Sequence, residues 1–180
     1  MTSTETRPVV HQVRRLDVAL PHPYDQAVRR YEELVPVVDT ARFGRLTSWD
    51  AVLELAGSNA PHGFMIYWKA DVTAMMAASP SGWKCAEYLM GNHVIAERMF
   101  RHDPAVMLHA PLRTVIYEDS RGQTRFAVDQ PSTFFASYGD PAITEVGHHL
   151  DRLVAQLLDA LGAAVPAELG ELGELGDAGG

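Results

Sequence analysis

Trp83-Lys84-Cys85-Ala86-Glu87-Tyr88-Leu89-Met90-Gly91-Asn92-His93 and, after a short gap, Met107-Leu108-His109-Ala110-Pro111-Leu112-Arg113-Thr114-Val115-Ile116-Tyr117-Glu118 are the two runs whose reading decides the fold. Residues 85–90 read as a strand, and Gly91-Asn92 as the turn after it. Asn92 is placed to cap a helix over residues 93–101, which His102-Asp103-Pro104 closes. Residues 107–118 form the longest strand candidate. Ser120-Arg121-Gly122-Gln123 then turns the chain into a partner strand over residues 124–128.

Outward from this centre the pattern stays local and strong. Leu16, Val18 and Leu20 alternate with Arg15, Asp17 and Ala19, a half-buried strand ended by Pro21 and Pro23. Ala27, Val28, Tyr31 and Leu34 fall at helical spacing over residues 24–34, and Pro36 stops that helix. Thr47 or Ser48 caps a second helix over residues 49–56, with Gly57 beyond its end. Residues 64–68, Phe-Met-Ile-Tyr-Trp, have the composition of a central strand. Asp71 caps a short helix that the Ser79-Pro80-Ser81-Gly82 turn ends. Residues 143–161 carry Ile143, Val146, Leu150, Leu153, Val154, Leu157 and Leu161 on one stripe, the best helix of the chain. Strands and helices alternate irregularly. The expected fold is α+β: a single compact domain with a mixed or antiparallel sheet covered by helices and a long C-terminal helix.

A chain of 180 residues with 47% hydrophobic content can bury a real core in one domain. Residues 1–10 lack periodicity and read as a flexible arm, residues 11–162 as the domain, and residues 163–180 as an acidic, Gly-rich disordered tail built on three Glu-Leu-Gly repeats. The formal net charge is −8, half of it from Glu168, Glu171, Glu174 and Asp177 in the tail. Without clustered Lys and Arg, neither nucleic acid nor an anionic membrane is an expected partner. The single cysteine, Cys85, excludes an intrachain disulfide and reads as a small buried hydrophobe. The start of the chain carries no apolar signal-peptide segment, so the cytoplasm is the expected location.

The Gly91-Asn92 turn, the helix ending in His102-Asp103-Pro104, Ala110-Pro111-Leu112-Arg113 leading into a Val-Ile-Tyr strand, the hairpin at Gly122 and Asp129-Gln130-Pro131-Ser132 together resemble the family catalogued as domain of unknown function 302. The resemblance covers residues 16–162 and is densest over residues 88–135. It implies a compact α+β domain, often paired as a homodimer, and brings no established reaction. The leading arm, residues 40–59 and the Gly-rich tail depart from or extend the pattern.

Chemistry is sought where polar residues sit among apolar ones. If residues 107–117 form a regular strand, His109, Arg113, Val115 and Tyr117 share one face and Leu108, Leu112, Thr114 and Ile116 the other. That face could be merely solvated, a dimer interface or a site. As a site, His109 would move a proton, Arg113 would hold a carboxylate or enolate, and Tyr117 would contact the bound molecule. Pro111 weakens the regular-strand assumption. Glu87 and Tyr88 are further catalytic candidates, one on each face of their strand; Trp68 and Met90 are candidate wall residues of an apolar pocket. His93 with Glu97, and His148 with His149, lack the ligand spacing of a metal site, so no metal and no cofactor are expected. Phosphate loops, nucleophile elbows and paired cysteines are missing from the sequence. Two readings follow: a cofactor-independent isomerase, cyclase or lyase acting on a small apolar or amphipathic metabolite, or a carrier of an apolar ligand or haem with His109 as axial ligand.

Overall fold

One strand divides its residues between two environments, and that division orders the molecule. Along β4 (Leu112–Glu118), Leu112, Thr114 and Ile116 are buried, while Arg113, Val115 and Tyr117 turn to the other side. The other strands are β1 (Arg15–Ala19), β2 (Met65–Asp71), β3 (Cys85–Gly91) and β5 (Thr124–Asp129). In the computed structural model, which describes residues 7–170, they form a five-stranded sheet in the order β1-β5-β4-β3-β2, antiparallel at each step. An antiparallel sheet can bury one face and leave the other open, which is the arrangement here.

The helices are α1 (Tyr24–Leu34), α2 (Thr40–Phe43), α3 (Trp49–Asn59), α4 (Val72–Met75), α5 (His93–Phe100), α6 (Pro131–Phe135) and α7 (Pro141–Ala160). Apolar residues of α1, α5, α6 and α7 join the inward residues of the sheet in one core, among them Tyr31, Met99, Phe135, Ile143, Val154, Phe126 and Ile116. Tyr31 lies 4.7 Å from Tyr88 between ring centroids, and its hydroxyl shares a 3.2 Å hydrogen bond with the buried Thr114. A smaller cluster of Val38, Ala60 and Met65, with Phe43 and Tyr67 against it, fills the space under α2. Val37 makes a parallel bridge to Ile66 there.

Capping chemistry sets several boundaries. Asn92 accepts from the Val94 N–H at 3.0 Å and opens α5; Asp140 accepts from the Ala142 N–H at 2.7 Å and opens α7, with Pro141 in its first turn. The buried carboxylate of Asp151 in α7 accepts from the Ser132 N–H at the start of α6 and from Gln130 Nε2. Close packing of α6 on α7 needs Gly147, where a Cβ would come within 3.0 Å of the Ser132 Cα.

Several boundaries differ from the sequence expectation; β2 runs through Asp71 rather than ending at Trp68, and α4 stops at Met75. The strand expected over residues 107–118 starts only at Leu112, because Asp103 caps Ala105 and Pro104 opens a 3-10 turn, Pro104–Leu108. The helix after Ser48 runs through Gly57 to Asn59; a Cβ at Gly57 would meet no atom within 4 Å, so this glycine marks no close approach. Residues 163–170, expected in the tail, pack: Ala163 and Leu169 are buried in the core and the Glu168 carbonyl accepts from Gln130 Nε2. The remainder of the expected tail, and residues 1–6 of the arm, lie outside the described residues. Among the described residues no helix is long and apolar enough to cross a membrane.

Candidate functional site

At the end of the sheet where β3 finishes and β4 begins, two concavities adjoin across a shared wall of Met107, Ala110, Pro111 and Leu112. The first is an open groove of about 420 Å³ that holds both His109 and Arg113, with Val13, Leu89, Asp129 and Phe134. His109 is not on a strand. It ends the 3-10 turn, and its ring lies 4.8 Å from Phe134 in a tilted stack, with Phe135, Tyr138 and His11 edge-on around it. Burial lowers its pKa from the usual 6.5, and the nearby His11 lowers it further. The imidazole is therefore biased towards its neutral form at pH 7, the form that can accept a proton.

Arg113 reaches the same groove from β4 but is not a free cation. Its Nε lies 3.3 Å from Glu87 Oε1, its side chain is 73% exposed, and Asp129 lines the groove with it. An anionic ligand would have to compete with Glu87. Glu87 thus sits on the open face of the sheet as the partner of Arg113 rather than as a buried acid.

The remaining sequence candidates do not converge on this groove. Tyr117 shares the open face with Arg113, as the alternation of β4 requires, and donates to Asp17 Oδ2 at 2.9 Å. Burial and that hydrogen bond raise its pKa. The expected row of His109, Arg113 and Tyr117 is corrected to Arg113 and Tyr117 along β4, with His109 set apart by the 3-10 turn. Tyr88 lies on the covered face, beyond reach of Glu87 chemistry. Burial and Glu32 raise the Tyr88 pKa, and its hydroxyl donates to Glu32 Oε1 at 3.2 Å. Met90 is fully buried core, and Trp68 is 46% exposed near the β2 edge, so neither walls either concavity.

The second concavity is smaller and different in kind. Its volume is about 140 Å³, and its wall consists of Ile95, Ala96, Met99, Phe135 and Leu150 with the shared residues, edged by Gly91, Asn92, Tyr67 and His93. The Tyr67 hydroxyl stands 2.6 Å from His93 Nδ1 and accepts the His93 backbone N–H at 3.1 Å. Phe43 meets the His93 ring edge-on at 4.4 Å. Burial lowers the His93 pKa and raises that of Tyr67.

Tyr67 reaches this place through a β-bulge. Ile66 pairs with Met90 and Trp68 with Leu89, so Tyr67 is the extra residue between them. Bulges re-aim side chains, and this one turns the phenol towards α5. Sequence reasoning weighed His93 only as half of a metal pair with Glu97 and left Tyr67 in a strand. The signal it lacked was the register, since nothing local in residues 64–68 announces a bulge. Among the described residues no cluster of three His, Cys, Asp or Glu could hold a metal ion.

A two-layer α+β domain with concavities at one end of its sheet is the class this geometry defines. The family follows from the sequence comparison: residues 45–163 match the family described as Domain of unknown function DUF302, and the chain belongs to it. The fold is also similar to the crystal structure of an uncharacterised conserved DUF302 protein from Bacillus stearothermophilus, at 18% identity and a TM-score of 0.61, over 82% of this chain and 97% of that one. No curated protein matches the sequence.

Proposed function

We propose that this chain is a small-molecule-binding protein and, more specifically, a cofactor-independent acid/base enzyme of isomerase, cyclase or lyase type acting on an apolar metabolite. The observation that carries the reading is His109: a neutral-biased imidazole, stacked on Phe134, in an open groove that also contains Arg113. A general base must be reachable and unprotonated, and the open groove and neutral bias of His109 support that role. Arg113, tethered by Glu87, orients a carbonyl or carboxylate rather than neutralising it. The protein works in this reading as a cytoplasmic homodimer. Its open sheet face offers Leu89, Val115 and Ala127, half-buried, between the ion pairs Arg113–Glu87 and Arg125–Asp17, a mixture suited to a second copy.

The adjoining uncharged cavity favours a second reading, carriage of an apolar ligand without turnover. That cavity is close to the size of one benzene ring, so the ligand carried there would be small rather than a haem.

A thermal-shift screen of apolar ketones and carboxylates, followed by product analysis, tests both. For a metabolite that binds, Arg113→Lys should weaken binding several-fold through loss of the planar two-pronged contact, whereas His109→Gln should spare binding and remove turnover. Binding without product in the wild type supports carriage. Binding that ignores both substitutions takes the groove out of the function.

A further inference from the structure

The wall of the smaller cavity contains no Lys, Arg, Asp or Glu. A charged ligand would find no opposite charge on this wall, so the space favours a neutral guest. A cavity of about 150 Å³ is large enough for a benzene-sized molecule, and this one, open on one side, measures about 140 Å³.

The polar atoms at its edge narrow the guest further. Asn92 is half committed: its Oδ1 accepts from the Val94 N–H, and one of its two Nδ2 hydrogens goes to the Gly63 carbonyl. Tyr67 is committed in full. Its oxygen takes the His93 backbone N–H, and we assign its hydroxyl proton to Nδ1, the arrangement that uses the phenol as both acceptor and donor. With Nδ1 accepting, the neutral imidazole carries its proton on Nε2, and that nitrogen makes no hydrogen bond within the described residues. His93 Nε2–H and the second Nδ2 hydrogen of Asn92 are therefore the uncommitted side-chain donors, among the described residues, at the edge of an otherwise apolar wall.

We propose that this cavity is a binding site for a neutral, benzene-sized molecule bearing a carbonyl oxygen, which His93 recognises through Nε2–H while Tyr67 fixes the tautomer. The site stands on residues other than His109 and Arg113, so it survives if the acid/base reading of the groove fails.

Cyclohexanone is a suitable probe, with methylenecyclohexane as the isostere that lacks the acceptor. The measurement is two-dimensional NMR titration of the full chain, following backbone amides of residues 91–99 and the His93 imidazole nitrogens. Saturable shifts are expected with cyclohexanone, several-fold tighter than with methylenecyclohexane. His93→Phe should reduce cyclohexanone affinity by roughly three- to tenfold, the usual value of one neutral hydrogen bond, and remove the difference between the two probes. Ala96→Leu, which fills the cavity from α5, should abolish saturation by both, and His109→Gln should leave both unchanged. If His93→Phe does not fold, Ala96→Leu and the probe pair still decide. Three results would overturn the site: no saturable shift with cyclohexanone, saturation that persists in Ala96→Leu, or equal affinity for both probes in the wild type.

Discussion

The two faces of the sheet are made by the same strands, residue by residue, yet they do different work. On the covered face, Tyr31, Tyr88, Thr114, Ile116 and Phe126 are almost wholly removed from water; Tyr31 and Thr114 satisfy each other, and the Tyr88 hydroxyl donates to Glu32. On the open face, Asp17, Arg113, Tyr117, Arg125 and Glu87 answer one another through ion pairs and hydrogen bonds at a wet surface. Stability should therefore reside mainly on the covered side. Parity along β4 and β5 decides which residue belongs to which face.

The largest effect should come from hollowing the covered face. Phe126→Ala removes a ring at 0% exposure and should cost about 3–5 kcal/mol, read as a lowered urea midpoint with little change in slope. A loss near that of a surface substitution would break the assignment of the core to this face. Tyr31→Phe is a finer test on the same side. It keeps the packing and leaves the Thr114 hydroxyl without its partner, so about 1 kcal/mol should be lost.

The smallest effect is expected from Asp17→Asn on the open face. Asp17 receives both Arg125 and Tyr117, but it is partly exposed, and such surface pairs contribute at most about 1 kcal/mol. A markedly larger and concentration-dependent loss would sharpen the comparison instead, by showing that a second copy covers this face. Light scattering of the wild type and the variant at tens of micromolar separates these outcomes.

Much of this division was legible in the sequence because its causes are local. Alternation placed Leu112, Thr114 and Ile116 together, Asn92 announced the start of α5, Gly122 marked the hairpin, and the apolar stripe of α7 showed which helix closes the core. The site was less legible. His109 was read as part of a strand although the cause of its displacement is local: Asp103 caps Ala105 and Pro104 opens a 3-10 turn, a pair of signals taken only as the end of the preceding helix. Leu169 was assigned to a tail of glycines, although the adjacent Glu168 offers its carbonyl to Gln130, 38 residues back, and this draws the chain onto the core. Tyr67 and His93 are 26 residues apart and meet through strand register. Periodicity reports which side of an element is apolar; it is silent on which distant side chain will be waiting there.

The bulge at Tyr67 makes the phenol a detachable part. Ile66 already faces Met90 and Trp68 already faces Leu89, so excising the single residue between them would splice the strand into an unbroken ladder with each surviving pair in its present register. Trp68 would stay beside Leu89, Lys69 beside Tyr88, and the buried methionines would keep their neighbours. A lineage could thus acquire or discard the hydroxyl that sets the His93 tautomer by inserting or deleting one codon, with the architecture of the sheet indifferent to the exchange.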